Sequence, residues 1–269
     1  MGFSTQNQGT PSPAKRRYSW SGGEHLAEGK YRFSYYDTET KENVEVKLPF
    51  EAWFLEQTIG IGGGGDGYYY WTNEAAPAGR ETPGSVMVLH KTTFTQDGSR
   101  VSEEIARGTY AQIKEILGQR DKNGKAVLPQ DMKFVQNYYF LNPETKEIEA
   151  IRMQGSMNSA FINFTNQNRG WGQKKTLIEL NEELKHRGSV YYYEPKFSIK
   201  GDYSPEELEL MQKADKEVLD YIKSLYGRGG QEAIDPTIDQ TPAVYDGEQS
   251  QETPEASEEE KIDLSEVPF

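Results

Sequence analysis

The chain is built largely from short runs of aromatic and β-branched residues, and this sequence pattern restricts the possible folds more than any other feature. Turn-forming stretches such as "DTET", "GGGGDG" and "NPETK" separate the runs. Such side chains are enriched in strands, and Gly, Asp, Asn and Pro clusters bound them. We therefore predict a mainly β domain with a few helices, with strands in "KYRFSYY" (30–36), "NVEVKLPF" (43–50), "WFLEQTIGI" (53–61), "YYYWT" (68–72), "SVMVLHKTTF" (85–94), "MKFVQNYYFL" (132–141) and "EIEAIRM" (147–153).

Two shorter stretches indicate helices between the strands. Thr109 followed by Gln112 has the pattern of a capping box that opens "YAQIKEILG", and Gly118 supplies the stop. In "SMNSAFINFTNQ" (156–167) apolar residues recur at helical spacing, which predicts a helix with one apolar face. Packing against the core is the function we expect of that face.

A helix with a recognisable N-terminal cap is predicted near residue 204. Ser204 and Pro205 with Glu207 give the cap and first turn of a helix that we predict to run to about Tyr226. The stretch "TLIELNEELKHRG" (176–188) fits either a helix or a strand followed by a turn, and its periodicity does not decide between them.

Composition divides the chain into three parts. Residues 1–22 are rich in Gly, Ser, Pro and Gln, and we expect a flexible arm whose one basic cluster, Lys15-Arg16-Arg17, either touches phosphates or is solvated. Residues 23–228 form the folded body. Residues 229–269 are expected to form a disordered acidic tail.

The charge is concentrated in that tail. The chain carries 30 Lys and Arg and 43 Asp and Glu, a formal net charge of −13. From residue 229 onward there are twelve acidic residues and one base, Lys261, which gives −11. Subtraction leaves −2 for residues 1–228, from 29 bases and 31 acids. A body this close to neutral can still present a basic groove to nucleic acid.

Several classes of protein do not fit the sequence. An apolar run of membrane-spanning length and a basic-then-apolar leader are both missing, so we expect no membrane association and a cytoplasmic protein. The chain has no cysteine, and His25, His90 and His186 are scattered, so we assign no metal and no cofactor. The stretch "GIGGGGDG" (60–67) lacks the Gly-Lys-Ser/Thr ending of a phosphate loop. With no catalytic signature, we expect a protein that is not an enzyme.

The body is rich in tyrosine and tryptophan beside lysine or arginine. Because strand residues alternate between faces, Tyr69 and Trp71 point away from Tyr68 and Tyr70, and one pair lies outside the core or under a second covered face. Exposed rings with flanking cations suit sequence-tolerant binding of single strands, although a core role is favoured over ligand contact for any single ring. The candidate nucleic-acid-binding residues are Trp53, Tyr69, Trp71, Lys91, Tyr138, Phe140, Arg152, Trp171, Lys174, Lys175, Tyr192 and Lys196.

The chain ends in "EEEKIDLSEVPF" (258–269), an acidic stretch with an apolar tip. This ending resembles the replication-type single-stranded DNA-binding proteins of bacteria and their phages, in particular a divergent phage or mobile-element member. The resemblance implies an elaborated OB-fold barrel as the body. It also implies that the tip docks on replication or recombination proteins, through Asp263, Glu266, Val267, Pro268 and Phe269.

These observations predict a protein that coats single-stranded DNA without strong sequence preference and recruits partners through its tail, in the cytoplasm of the host if a phage encodes it. Two alternatives remain open from the sequence. One is an acidic-tailed interaction hub or chaperone-like protein whose aromatic residues are core. The other is an OB-fold protein that binds RNA.

Overall fold

The computed structural model describes residues 11–21, 32–80, 82–95, 98–187 and 190–226. The strands within these ranges are β1 (Arg17–Trp20), β2 (Phe33–Asp37), β3 (Glu42–Glu45), β4 (Phe50–Gly65), β5 (Tyr68–Thr72), β6 (Met87–Phe94), β7 (Arg100–Gly108), β8 (Met132–Leu141), β9 (Ile148–Met153), β10 (Lys174–Arg187) and β11 (Val190–Asp202). The helices are α1 (Tyr110–Leu117), α2 (Gly155–Gln167) and α3 (Pro205–Tyr226), with a 3-10 turn at Trp171–Gln173. The predicted mainly β class is confirmed.

Six strands form the first part of the sheet, in the order β3-β2-β1-β9-β8-β4. Neighbouring strands are antiparallel except β1 and β9, which run parallel. Among these six strands the longest ladder joins β4 to β8, from Trp53 opposite Leu141 to Gly63 opposite Met132. Residues opposite each other share a face and neighbours along a strand alternate, so this register decides which side chains meet.

Strand β4 is sixteen residues long and belongs to both parts of the sheet. Beyond its pairing with β8, Gly64 lies opposite Tyr69 of β5, and β6 and β7 complete the path. Gly63 and Gly64 have φ of 115° and 144°, in the region that favours glycine. A Cβ on Gly63 would lie 2.3 Å from the carbonyl oxygen of Asp131. The glycine run therefore forms the bent end of β4, where it turns into β5.

Strands β10 and β11 form a long hairpin that joins the sheet at one end. Thr176, Leu177 and Ile178 of β10 pair with residues 50–52 of β4, and β11 pairs with β10. The stretch whose helical or extended form the sequence left open is thus a strand. Its first residues gain ladder hydrogen bonds from two neighbours, which a helix there would forgo.

Helices cover both faces of the sheet. One core lies between the sheet, α2 and the β10–β11 hairpin and contains Phe140 and Phe161. A second lies under α3 and contains Tyr139 and Val218. A third lies under α1, which inserts Ile113 between the end of β4 and the strands β6 and β7. The role predicted for α2, packing against the core, is confirmed.

The predicted helix caps are confirmed in atomic detail. The Gln112 N–H donates to Thr109 Oγ1 at 3.4 Å, and the Thr109 N–H donates to Gln112 Oε1 at 2.9 Å. Gly118 ends α1 with φ of 72°. At α3 the Ser204 N–H donates to Glu207 Oε2 at 2.7 Å, and the Glu207 N–H donates to Ser204 Oγ at 3.3 Å.

The structure differs from the sequence-based expectations in the closure of the sheet and in the N-terminal arm. Among the described residues the strand path runs from β3 to β7 without closing, so the OB-fold barrel is not confirmed. The expected flexible arm over 1–22 is wrong for its last part, because Arg17–Trp20 pairs with both β2 and β9 and buries Tyr18. The tail (229–269) lies outside the described residues.

Candidate nucleic-acid interface

A row of polar side chains crosses four strands on the face where α3 packs. Ser19 of β1 lies opposite Arg152 of β9. Arg152 lies opposite Asn137 of β8, which in turn lies opposite Thr58 of β4. The Asn137 amide donates to Thr58 Oγ1 at 3.4 Å. Because opposite residues share a face, these side chains form one polar strip beside the apolar core of α3.

Next to this strip, β4 presents glycines in place of side chains. Gly60, Gly62 and Gly64 are spaced by two and therefore face the same side as Thr58. A Cβ built on Gly62 would lie 2.5 Å from Arg152 Nη2 and 3.2 Å from Val135 Cγ2. The guanidinium of Arg152 thus occupies the space that a side chain at position 62 would need. Lys133 lies opposite Gly62 in the β4–β8 ladder and adds a second cation to this face.

Beyond the glycines, β5 and β6 carry a wall of aromatic side chains. Trp71 stacks on His90 with ring centroids 4.3 Å apart, and its indole N–H donates to Thr92 Oγ1 at 2.9 Å. Tyr69 lies 5.7 Å from Phe94, and both rings are half-buried. These alternate residues of β5 and β6 lie on one face, the face opposite the core under α1.

The two walls face each other across the glycines. A narrow cleft of ≈ 40 Å³ has side chains of both walls in its lining, including Arg17, Asn137 and Arg152 on one side and Trp71 on the other. We call this surface the trough. Its basic wall is Arg17, Lys133 and Arg152 with the polar Ser19 and Asn137, its floor is Gly60, Gly62 and Gly64, and its aromatic wall is Tyr69, Trp71 and Phe94.

A partly buried ion pair holds the basic wall against the rest of the protein. Arg17 donates from Nη1 to Glu74 Oε1, and Tyr139 and Tyr221 donate to Glu74 Oε2 at 2.6 and 2.9 Å. Burial alone would lower the pKa of Arg17, but the Glu74 carboxylate outweighs it and the pKa is raised. Burial would likewise raise the pKa of Glu74, yet Arg17 and the two tyrosine hydroxyls hold that pKa below its ordinary value. The network ties β1 to α3 and to the segment after β5.

Arg16, next to Arg17, has a similar structural role. Its Nη1 donates to Glu149 Oε1 at 2.8 Å, and Glu149 is fully buried. Tyr18 and Asn142 donate to the other carboxylate oxygen, each at 2.8 Å. Neither expectation for the basic cluster, phosphate contact or simple solvation, describes these two arginines. They neutralise buried acids, because a buried carboxylate without a counter-charge is costly.

The expectation that Trp53, Trp71, Tyr138 and Phe140 present exposed rings is wrong. Their exposed fractions are 2%, 4%, 9% and 0%. Tyr138 and Phe140 lie in the core under α2, and Trp53 lies in the core under α3. Both faces of the sheet are covered here, so an alternating aromatic strand has no free side. Trp71 lines the trough but stacks on His90 instead of standing free.

Other predicted residues lie away from the trough. Lys91 is on the opposite face of β6, with its Nζ 4.8 Å from the centre of the Tyr68 ring. Lys175 binds Glu207 at 2.6 Å, and Lys174 pairs with Asp202. The remaining three are Trp171, packed against the core under α2, and Tyr192 and Lys196 on the β10–β11 hairpin. Of the twelve candidates, the trough therefore brings together Tyr69, Trp71 and Arg152.

Sequence reasoning missed most of the trough. Ser19, Lys133, Asn137 and Phe94 are not among the predicted binding residues, and Gly62 and Gly64 lie in the stretch interpreted as a turn, whereas Gly60 lies in a predicted strand. One signal was available: glycines at positions 60, 62 and 64 mark a strand face without side chains, where another group can approach the backbone closely. The partners across that face depend on a register between distant strands, which local patterns do not reveal.

Comparison of the chain with protein-family models, curated proteins and solved structures finds no match. Within the ranges that the structure describes, no group of three or more His, Asp or Glu side chains is arranged to hold a metal ion. None of the three described helices is both long and apolar enough to cross a membrane. The predicted docking residues, Asp263, Glu266 and Val267–Phe269, lie outside the described residues.

Proposed function

We propose that the protein binds single-stranded DNA in the trough, without catalysis and without strong sequence preference. The observation that carries the proposal is the glycine floor between a basic wall and an aromatic wall. Phosphates of a single strand need cations, and its unpaired bases offer π-faces of any sequence to aromatic rings. Tyr69 and Phe94 are half-buried rings of the aromatic wall, and Arg152 and Lys133 are cations of the basic wall.

The glycine floor favours a single strand over a duplex. Glycines at positions 60, 62 and 64 let neighbouring groups lie close to the β4 backbone, so the cleft between the walls is narrow and suits a thin ligand. A duplex keeps its bases stacked inside and presents only phosphates and groove edges, so it cannot use the aromatic wall. In this proposal an open, bent sheet takes the place of the OB-fold barrel that the sequence suggested as the binding platform.

Two nearby carboxylates, Glu104 and Glu74, are paired with arginines, which reduces their repulsion of phosphate. Glu104 lies opposite His90 in the β6–β7 ladder, and Arg107 binds it with contacts of 2.6 and 2.8 Å. These hydrogen bonds hold the pKa of Glu104 below its ordinary value. On the side of the basic wall, Arg17 neutralises the charge of Glu74.

The second part of the proposal concerns the tail, and the charged sequence with its apolar end supports it. Asp263, Glu266 and the tip Val267–Phe269 dock on replication or recombination proteins while the body holds DNA. Removing Phe269 should leave DNA binding intact and weaken partner recovery in pull-downs from the native host. Identical partner lists for intact and shortened protein would contradict docking by the tip.

Direct binding measurements test the DNA proposal. Fluorescence anisotropy of labelled single-stranded DNA, with unlabelled single strand, duplex and RNA as competitors, should show preferential displacement by single-stranded DNA. Tyr69→Ala should weaken binding by about 5–100-fold, since stacking contributes about 1–3 kcal/mol per base. Tyr68→Ala, on the opposite face of the same strand, is the matched control.

Arg152→Gln should also weaken binding, while Arg169→Gln, an exposed arginine after α2 on the other side of the sheet, should not. Thermal melting of each variant confirms that it is folded. Equal affinity for all four variants and the unchanged protein would refute the trough as the binding site. Preferential displacement by RNA would instead support the RNA-binding alternative.

A further inference from the structure

Strand β7 forms an open edge of the sheet. Among the described residues it pairs with β6 alone, and no described strand lies on its other side. Its first five residues, Arg100–Glu104, are all exposed, whereas Ala106 and Gly108, closer to α1, are buried. An edge strand carries a row of backbone N–H and C=O groups that a further strand can bind. The exposed half of β7 can therefore extend the sheet by pairing with another strand.

Two other strands of the described sheet also have a single partner, and both are less suited to such pairing. Strand β3 is only four residues long. Strand β11 contains Pro195, which has no N–H to donate. The exposed half of β7 contains no proline, so all five of its residues keep their backbone donors. We therefore examine β7 as the edge at which a partner strand binds.

The charged side chains of β7 decide which partner it can accept. Charges usually protect an edge strand from pairing, and the exposed half contains Arg100, Glu103 and Glu104. For two copies of one strand, a two-fold axis perpendicular to the sheet gives an antiparallel pair in which side chains keep their face. Only residues on the same face can then lie opposite each other. The possible registers are those with one residue of each copy on the axis.

One of these registers brings opposite charges together. With Ser102 on the axis, Arg100 of each copy lies opposite Glu104 of the other, so the favourable pair occurs twice. An axis at Glu103 or at Glu104 places that glutamate opposite its own copy, which is destabilising. An axis at Val101 forms no pair of opposite charges. Registers centred beyond residue 104 use the half of β7 that contains the buried positions.

We infer that the protein forms a two-fold symmetric dimer through antiparallel pairing of β7, with Ser102 on the axis. Glu104 already accepts two hydrogen bonds from Arg107 of its own chain. A carboxylate offers about four acceptor sites, so it can also accept from Arg100 of the second copy. The inference goes beyond DNA binding and does not rest on it.

The size of the paired segment sets the expected strength of the dimer. Stable interfaces bury about 1,200–2,000 Å² in total, and one pair of five-residue segments buries less. We therefore expect a dimer that dissociates on dilution. Sedimentation velocity of the full-length protein over a concentration series should show the monomer mass at low concentration and the dimer mass at high concentration.

Complementary charge variants test the register. Arg100→Glu alone and Glu104→Arg alone each place like charges opposite each other twice, and each should weaken self-association about tenfold or more. A mixture of the two variants restores both pairs of opposite charges and should dimerise where neither variant does alone. Arg169→Glu, which changes an exposed arginine after α2, is the matched control and should leave the dimer unchanged. Thermal melting of each variant confirms that it is folded.

A cysteine on the axis gives a second, independent readout. The chain has no cysteine, so Ser102→Cys supplies a single thiol, which should form a disulfide between copies in oxidised glutathione. Ser159→Cys, at an exposed position of α2, is the control and should remain monomeric. A monomer at every concentration, a mixture no more dimeric than its separate variants, or equal cross-linking at both cysteines would overturn the inference. These measurements contain no DNA, so their outcome is separate from the test of the trough.

Discussion

Replacing Gly62 with alanine isolates the contact between the trough floor and its basic wall. Gly62 has a backbone conformation that alanine can adopt, because it is absent from the positive-φ residues of the chain. The new Cβ would lie 2.5 Å from Arg152 Nη2, the mobile end of a long side chain. The guanidinium can move away while the strand keeps its pairing with β8.

Two opposing contributions set the expected change in stability. Alanine in a strand is favoured over glycine by roughly 0.5–1 kcal/mol. Crowding against Val135 Cγ2 at 3.2 Å and the displacement of Arg152 oppose this gain. We expect the free energy of unfolding to change by less than about 1 kcal/mol, because the moved group is a flexible side-chain end.

The expected change in DNA binding is larger. A hydrogen bond to a charged group contributes about 1.5–3 kcal/mol, so losing the Arg152 contact should weaken single-strand binding about 10–100-fold. The slope of log affinity against log salt should become shallower by about 0.7, the value for one phosphate contact on a single strand. Gly172→Ala, at a position with no atom within 4 Å of the added Cβ, is the matched control. A Gly62→Ala protein that is folded and binds with unchanged affinity and salt slope would refute the assigned role of Arg152.

Three further predictions concern charge. Burial raises the pKa of Asp215, so the folded state favours the protonated carboxyl, and this contribution to stability is lost as pH rises through that pKa. Asp215→Asn removes the partly buried charge that is present at pH 7, so it should raise the urea midpoint at pH 7 but not near pH 3, where the carboxyl is protonated. The pKa of Glu74 is lowered, so its contribution is present at neutral pH and lost as pH falls. Glu74→Gln leaves the partly buried Arg17 without its counter-charge and should lower the free energy of unfolding in urea at pH 7 by about 1–3 kcal/mol, less than for a fully buried pair because solvent screens part of the charge. Deleting residues 229–269, which carry −11, should raise single-strand affinity at low salt and little at high salt, because the Debye length is about 10 Å at 0.1 M. Equal affinities at every salt concentration would indicate that the tail does not compete for the trough.

The parts of the fold that follow from local chemistry could be predicted from the sequence. Thr109 with Gln112, and Ser204 with Glu207, carry their own cap partners within one turn. The strands, too, follow from residue type and alternation. The form of residues 176–188 could not be decided locally, because what fixes it as a strand is pairing with β4, more than a hundred residues earlier.

The candidate site was harder to predict because exposure depends on what covers each face. Alternation correctly separates Tyr138 from Tyr139, but α2 covers the first and α3 covers the second. Tyr69 and Arg152 are candidates that residue type alone suggests, while Lys133 and Phe94 come to the same face only through ladders between distant strands. Residue type identified the chemistry of the trough, and tertiary register determined which residues supply it.

If the trough binds DNA as proposed, the distribution of charge within the body accounts for the attraction of a nearly neutral domain to a polyanion. Arg16 and Arg17 are held by the buried acids Glu149 and Glu74, so these four charges contribute little outside the protein. Acids beside the aromatic wall are likewise paired, as Glu104 is with Arg107. Net charge counts all of these groups equally, whereas a ligand responds mainly to charges within about 10 Å of it at 0.1 M salt. The charge that a ligand in the trough meets therefore depends on the groups that line the trough, and not on the −13 of the whole chain.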